Sequence, residues 1–250
     1  MARATWDLGP AKAARYSDVA ITLHWLIAIA ILYNLASGLL RPVMPRGFFI
    51  FHISSGITIL TLSIVRVLWR LTHRPPPLLP MAPWERGLAH TVHALLYAAM
   101  LLLPFSGWAM VSASPPAGSP GAAYADAERA AHEPVQPQVA PSGRETKGPP
   151  APAGQGQGGG TPPRKHGPIM VWGLFKLPLI TPVNEIGRTP EGVPQQRALH
   201  ERIETFHLLG GWILLVLLVI HIGGALKHQL IDRQPELARM GLGRGRSWPR

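Results

Sequence analysis

Four histidines, His24, His52, His207 and His221, stand inside long apolar stretches of this 250-residue chain. A polar ring in a hydrocarbon environment is costly enough to be read as functional. Imidazole nitrogen is an axial ligand of haem iron, and a second imidazole opposite it leaves no open position, which suits electron transfer rather than oxygen binding. His207 and His221 are 14 residues apart. On a helix that interval is close to four turns, so both rings leave one face with about 21 Å of rise between them. The same interval separates His24 from Gly38 and His52 from Arg66. Gly38 would leave room for a flat macrocycle at the depth of one pair. Arg66, at the depth of the other, would meet a haem propionate or a quinone oxygen, with Arg70 one turn further on. Gly56 follows His52 by one turn, as Gly210 and Gly211 follow His207, and each leaves space beside a ligand.

Such residues pair only if helices hold them at matched depths. A helix crossing a bilayer needs roughly 20 mainly apolar residues. The chain is 47% hydrophobic and 15% charged, and four runs qualify: Val19 to Leu40, Phe48 to Trp69, Leu88 to Val111, and Ile203 to Leu226. The first reads as a retained helix, because it is long for a signal segment and carries a histidine. The N-terminal tail, the second connection and the C-terminal tail hold thirteen Lys and Arg, against two in the first connection, Arg41 and Arg46. That bias puts both termini in the cytoplasm. His24 and His221 then lie near the inner face, His52 and His207 near the outer. The expected fold class is all-α, a transmembrane four-helix bundle.

Composition narrows the alternatives. The net charge of +11 flanks apolar runs instead of forming a basic face on a soluble module, so no nucleic-acid partner is expected. The absence of cysteine excludes disulfides, iron–sulfur ligands, a thiolate nucleophile and covalent haem attachment. The candidate zinc or di-iron cluster, Glu201 and Glu204 with His200 and His207, sits at a helix entrance, where the two carboxylates favour the helix N-terminus. A plainer role for the four membrane histidines is hydrogen bonding between helices. His90 and His93 rival His24 or His221 as inner ligands; quinone protonation and headgroup bonding are their other roles. Pro104 is expected to kink the third helix and Gly107 to allow close packing there.

The third connection differs from everything around it. From Ala113 to Gly167 it has 11 Pro and 10 Gly in 55 residues, with Tyr124, Val135 and Val139 as its large apolar residues. Such a stretch buries too little surface to offset its ordering entropy, which predicts a disordered external insert or a partner-docking arm. The apolar segment from Pro168 to Ile180 is too short to span and is expected to cap the outer end of the bundle, with Trp172 and Phe175 at headgroup level. The expected organisation is therefore residues 16–112 for helices 1 to 3, 113–167 for the insert, 168–232 for the cap and helix 4, and 233–250 for a basic cytoplasmic tail.

Several motifs together resemble bacterial cytochrome b561. They are Leu23-His24-Trp25-Leu26, His52-x-x-x-Gly56 with Arg66-x-x-x-Arg70, Leu88-Ala89-His90-x-x-His93 through Leu103-Pro104-x-x-Gly107, Gly173-Leu174-Phe175-x-Leu177-Pro178, and His207 to His221 followed by Ala225-Leu226-Lys227-His228. The resemblance covers nearly the whole chain apart from the insert and the last residues. It implies a four-helix cytochrome of the bacterial inner membrane with two haem b, ligated at His24, His52, His207 and His221. It also implies an oxidoreductase moving electrons between membrane ubiquinone and a partner outside the bilayer, either superoxide or a periplasmic redox protein. A positive outer rim of Arg41, Arg46, Lys176, Arg188, Arg197 and Arg202 would focus a small anion such as superoxide. The alternative function is a cytochrome b membrane anchor for a dehydrogenase or hydrogenase complex, with the insert as its docking arm.

Overall fold

The structure is a computed structural model that describes residues 15–41, 43, 46–132 and 168–242. Most of the N-terminal tail, residues 133–167 of the insert and residues 243–250 of the basic tail lie outside the described residues. Four helices are long and apolar enough to cross a membrane: α1 (Asp18–Leu39), α2 (Arg46–Thr72), α3 (Pro83–Ser112) and α6 (Val193–Leu230). Their starts follow local chemistry. Ser17 caps α1 by accepting the Ala20 N–H at 3.3 Å. Pro83 opens α3 with an already orphaned backbone position, and Glu85 accepts the Ala82 N–H at 3.1 Å. Pro104 lies inside α3, which runs on through it to Ser112.

Helix α6 begins ten residues before the expected Ile203. Its 38 residues make a rod of about 57 Å, well beyond the thickness of a hydrocarbon core. The extension is held because buried Gln196 donates Nε2 to the carbonyls of Val183 and Asn184, both at 3.0 Å. Arg197, His200, Glu201 and Arg202 all fall on this extension, beyond the apolar run, and Glu204 follows at the start of that run.

In the bundle α1 packs on α2, α2 on α3, and α3 on α6, whereas α1 and α6 are not a closely packed pair. The core lies at mid-depth and is formed by Ile27 and Ile31 of α1, Ile59 of α2, Leu96, Met100 and Leu103 of α3, and Leu214 and Leu217 of α6. Lipid tails are as apolar as leucine, so this core is held by close packing rather than by escape from water. Gly210 illustrates the point: a Cβ there would strike the Leu103 side chain, so its role is packing against α3 rather than leaving room beside His207. Gly56 likewise faces Asn34 of α1, whose Nδ2 donates to Ser55 Oγ at 2.5 Å. Gly211 meets no neighbour.

The end at which the described residues begin and finish, near Arg15 and Leu242, is interlocked. The Trp25 indole donates to Met240 O at 2.8 Å, Tyr16 N–H to Arg239 O at 3.3 Å, and Arg239 Nη2 to Pro77 O at 2.6 Å. Lys227 Nζ lies 2.5 Å from Glu85 Oε1 and 2.7 Å from Asp232 Oδ2, and its ammonium holds the Asp232 carboxyl below the usual range.

The opposite end corrects the expectation of a wholly disordered insert. Pro120–His132 forms a helix, α4, because this part of the insert is alanine-rich and poor in glycine. Ser119 Oγ accepts the Ala122 N–H at 3.1 Å at its start. The helix docks on a cap made of α5 (Thr181–Asn184) and two short 3-10 turns, Glu185–Gly187 and Pro190–Gly192. Gly121 N–H donates to Arg188 O at 2.9 Å, and the Arg197 guanidinium grips both Glu128 oxygens, at 2.5 and 3.4 Å. That guanidinium holds the Glu128 carboxyl below its ordinary value.

The apolar segment after the insert is an antiparallel hairpin of β1 (Met170–Val171) and β2 (Phe175–Lys176), with Met170 opposite Lys176. Its turn places Trp172 at φ 51° and Gly173 at φ 72°, the left-handed pair of a tight hairpin turn. For a bulky tryptophan this is strained. Two bonds to α2 hold it: Trp172 N–H to Ser54 Oγ and Trp172 Nε1–H to Thr58 Oγ1, both at 3.0 Å. The hairpin therefore runs along α2 past His52 instead of only covering the bundle end.

Replacing Gly121 by alanine would drive a Cβ into the carbonyl of Gly187, a backbone group that cannot move aside. G121A should destabilise α4 docking by about 1–3 kcal/mol. Amide exchange across 120–132 should quicken while the bundle melts at its usual temperature; unchanged exchange would show that this close approach is dispensable.

Candidate functional site

The two histidine levels form where the helices leave the mid-depth core. At the level nearer the termini, His24 of α1 faces His221 of α6 with ring centres 6.2 Å apart and planes at 70°. At the other level, His52 of α2 faces His207 of α6 at 6.3 Å and 72°. Two axial bonds of about 2 Å, plus the distances from nitrogen to ring centre, total roughly 6.3 Å. A metal centred between either pair is thus spaced as two axial imidazoles require. His24 and His221 stand across the side where α1 and α6 are not closely packed, and His52 and His207 reach between α2 and α6, likewise not a closely packed pair.

Each ring at the His52–His207 level has a serine at its Nδ1. Ser37 Oγ donates to Asn34 O at 3.1 Å and lies 2.9 Å from His52 Nδ1. Ser106 Oγ donates to Leu103 O at 2.8 Å and lies 2.9 Å from His207 Nδ1. Where the serine proton points to that carbonyl, the ring donates from Nδ1 and its Nε2 keeps a free lone pair. This is the arrangement by which a partner of the second ring nitrogen fixes a ligating histidine. The residue after each serine is a glycine. A Cβ on Gly38 would come 3.5 Å from His52 Cε1, and one on Gly107 would come 3.3 Å from His207 Cε1. Ser37-Gly38 on α1 and Ser106-Gly107 on α3 thus form matching seats. Sequence reasoning singled out both glycines and missed both serines, although the repeated Ser-Gly step at one depth was a readable signal.

The inner level is built differently. Arg66 donates Nη1 to Ala20 O at 2.9 Å, places Nη2 3.4 Å from His24 Nδ1, and lies over the Tyr97 ring at 5.9 Å. It is the cation beside this pair. Arg70 instead lines a separate cavity between α1 and α2. His93 of α3 donates Nδ1–H to Ala89 O at 2.6 Å and stands only 5.0 Å, ring centre to centre, from His221. That is too close for two axial ligands, whereas the His24–His221 spacing matches the outer pair. His90, one turn nearer the helix start, is exposed. Among the described residues no group of three or more His, Asp or Glu side chains is arranged for a metal ion, so the Glu201–Glu204–His200 cluster does not assemble.

The outer rim is more nearly neutral than composition suggests. Arg41 pairs with Glu204 at 3.5 Å, Arg197 with Glu128, and Arg188 with Glu185. Lys176 and Arg202 are exposed cations of this rim; the Arg46 side chain lies outside the described residues.

The serine seats make a prediction. S37A and S106A should each weaken haem retention at the His52–His207 level by about tenfold or more, seen as substoichiometric haem in the visible spectrum. The signal from the His24–His221 level should be unchanged. Full occupancy in both variants would mean the serines only fill space.

A family model described as Prokaryotic cytochrome b561 matches residues 15–243. The protein named "Probable superoxide oxidase CybB" from Yersinia pestis is 34% identical over 102 residues, covering 39% of this chain and 58% of the relative. "Cytochrome b561 homolog 1" from Escherichia coli (strain K12) is 28% identical over 107 residues, 40% of this chain and 61% of the relative. "Cytochrome b561 homolog 2" from the same organism is 31% identical over 106 residues, 40% and 56%. The chain spans less than two thirds of the length of each of these relatives. The family binds haem b and works in electron transport in bacterial membranes. With four apolar helices and a match running from Arg15 to Gly243, the chain belongs to the prokaryotic cytochrome b561 family.

Proposed function

We propose that the chain is a di-haem membrane cytochrome in which His24 and His221 hold one haem b and His52 and His207 hold the other. The observation that carries this is the common spacing of the two ring pairs, 6.2 and 6.3 Å, at two levels of one bundle. Held by these histidines, haem would supply one-electron redox chemistry. The chain's own contribution is positional. Ser37 and Ser106 keep Nε2 of the outer rings available, Gly38 and Gly107 make room for those rings, and Arg66 supplies positive charge for a propionate. The apolar layer of Ile27, Ile31, Ile59, Leu214 and Leu217 keeps water from the space between levels.

The cationic connections favour termini in the cytoplasm of a bacterium bounded by its inner membrane. In that orientation the His52–His207 level faces the outside. The activity proposed is an oxidoreductase passing electrons from an external donor to ubiquinone. Superoxide is favoured as donor by the name of the Yersinia relative, and exposed Lys176 and Arg202 add positive potential at the rim. A second function, anchor and conduit for a redox complex, is favoured by the docked helix α4, which presents an ordered surface beside the outer cap. Purification from native membranes separates the two, since only the conduit brings a stoichiometric redox partner.

Three measurements test the first proposal. The purified protein should show two haems per chain in its visible spectrum. H207A should remove chiefly the outer haem and H221A the inner, whereas loss of the inner haem in H93A with retention in H24A would reassign the pair. On rapid mixing, superoxide should reduce the haem and added ubiquinone should reoxidise it; no reduction rules out this donor.

A further inference from the structure

Where α1 begins and α2 ends, an open cavity of about 590 Å³ lies on the outside of the bundle, on the same end as both chain termini. Arg15, Arg70 and Arg74 stand in its wall with Tyr16, Ser17 and Trp69. The Trp69 indole donates to Ser17 Oγ at 3.2 Å and stacks on His73 with ring centres 3.6 Å apart, which fixes the floor of the cavity. Arg15 Nη2 is 3.1 Å from Asp18 Oδ1, and both side chains are more than half exposed. Among the described residues no carboxylate lies within ion-pair distance of Arg70 or Arg74. Three guanidinium groups against one carboxylate leave the cavity cationic.

The depth of the cavity and its surroundings identify the anion. It sits at the ends of two membrane-spanning helices, with a tyrosine and a tryptophan in its wall, the residue types that mark the level of lipid headgroups. Among the same turns of α2, Leu68 is 57% and Leu71 is 78% exposed. A soluble anion would gain nothing from those leucines, whereas the acyl chains of a lipid would cover them. Guanidinium forks match phosphate geometry with two parallel hydrogen bonds, and basic pockets between membrane helices are a recurrent means of holding anionic headgroups. We propose that this cavity binds one anionic phospholipid, its phosphodiester held by Arg15, Arg70 and Arg74 and its acyl chains lying along Leu68 and Leu71. The bound lipid would tie the start of α1 to the connection that follows α2, next to the turn from which Arg66 reaches His24.

The test uses the full-length, haem-loaded protein in detergent micelles, with native mass spectrometry counting retained molecules. Dioleoylphosphatidylglycerol should be kept as a single copy in clear preference to dioleoylphosphatidylcholine. R15Q/R74Q should weaken that retention on the order of tenfold, R15K/R74K should restore much of it, and R129Q, which removes a cation at the far end of the molecule, should leave it unchanged. Equal retention of the two lipids would overturn the proposal. So would full retention in R15Q/R74Q, or an equal loss in R129Q, which would point to net charge alone. Inorganic phosphate competing as well as the lipid would show a free-anion site and overturn the lipid assignment. The comparison of lipids on the unsubstituted chain stands however the variants fold.

Discussion

An imidazole inside a bilayer must give its second nitrogen a partner, and much of this structure is arranged around that requirement. At the His52–His207 level the partner is a serine whose hydroxyl also bonds a carbonyl of its own helix. The hydrogen-bonding capacity of Ser37 and Ser106 is therefore used twice, once along the helix and once across to the ring. The ring lies against the residue after each serine: a Cβ at Gly107 would press on His207, and one at Gly38 would meet His52 in ordinary contact. At the His24–His221 level the neighbour of the ring is the Arg66 guanidinium, 3.4 Å from His24 Nδ1, so the two levels present different electrostatic surroundings to otherwise similar histidine pairs.

The second organising feature is asymmetry in packing. Three neighbouring helix pairs are closely packed and the fourth side, between α1 and α6, is not. At one depth His24 and His221 stand across this opening, at the other His52 and His207 join α2 to α6, and an apolar layer lies between the two levels. Both levels depend on α6, which supplies a histidine to each and extends outward to anchor the cap through Gln196. A disturbance of the cap is thus linked by one continuous helix to His207.

The ends of the bundle carry the polar interactions that the middle cannot. At the end with the termini, Trp25, Arg239 and Lys227 join α1, the connection after α2 and the tail after α6. At the other end Arg41, Arg188 and Arg197 are all paired with carboxylates, so a count of cations overstates the field there.

Periodicity and depth in the sequence were enough to find four spans, four histidines at two levels and Arg66 at the inner one, because a helix in lipid has few choices: its length is set by the bilayer and its face by the 14-residue interval. Within these limits local chemistry prevails, and boundaries moved where caps and a buried glutamine extended α3 and α6. Tertiary structure alone decided which small and polar residues serve the rings. Gly38 and Gly107 face histidines, while Gly56 and Gly210 face Asn34 and Leu103, a distinction that depends on the rotation of neighbouring helices and leaves no trace in spacing. Arg66 and Arg70, one turn apart, end at different sites for the same reason. Composition misjudged residues 120–132, since averaging over the insert hid a short alanine-rich segment whose helix needs the cap to dock against. What one helix does by itself was legible in its residues; what two helices do together depended on packing, where a rotation of a few tens of degrees changes every partner.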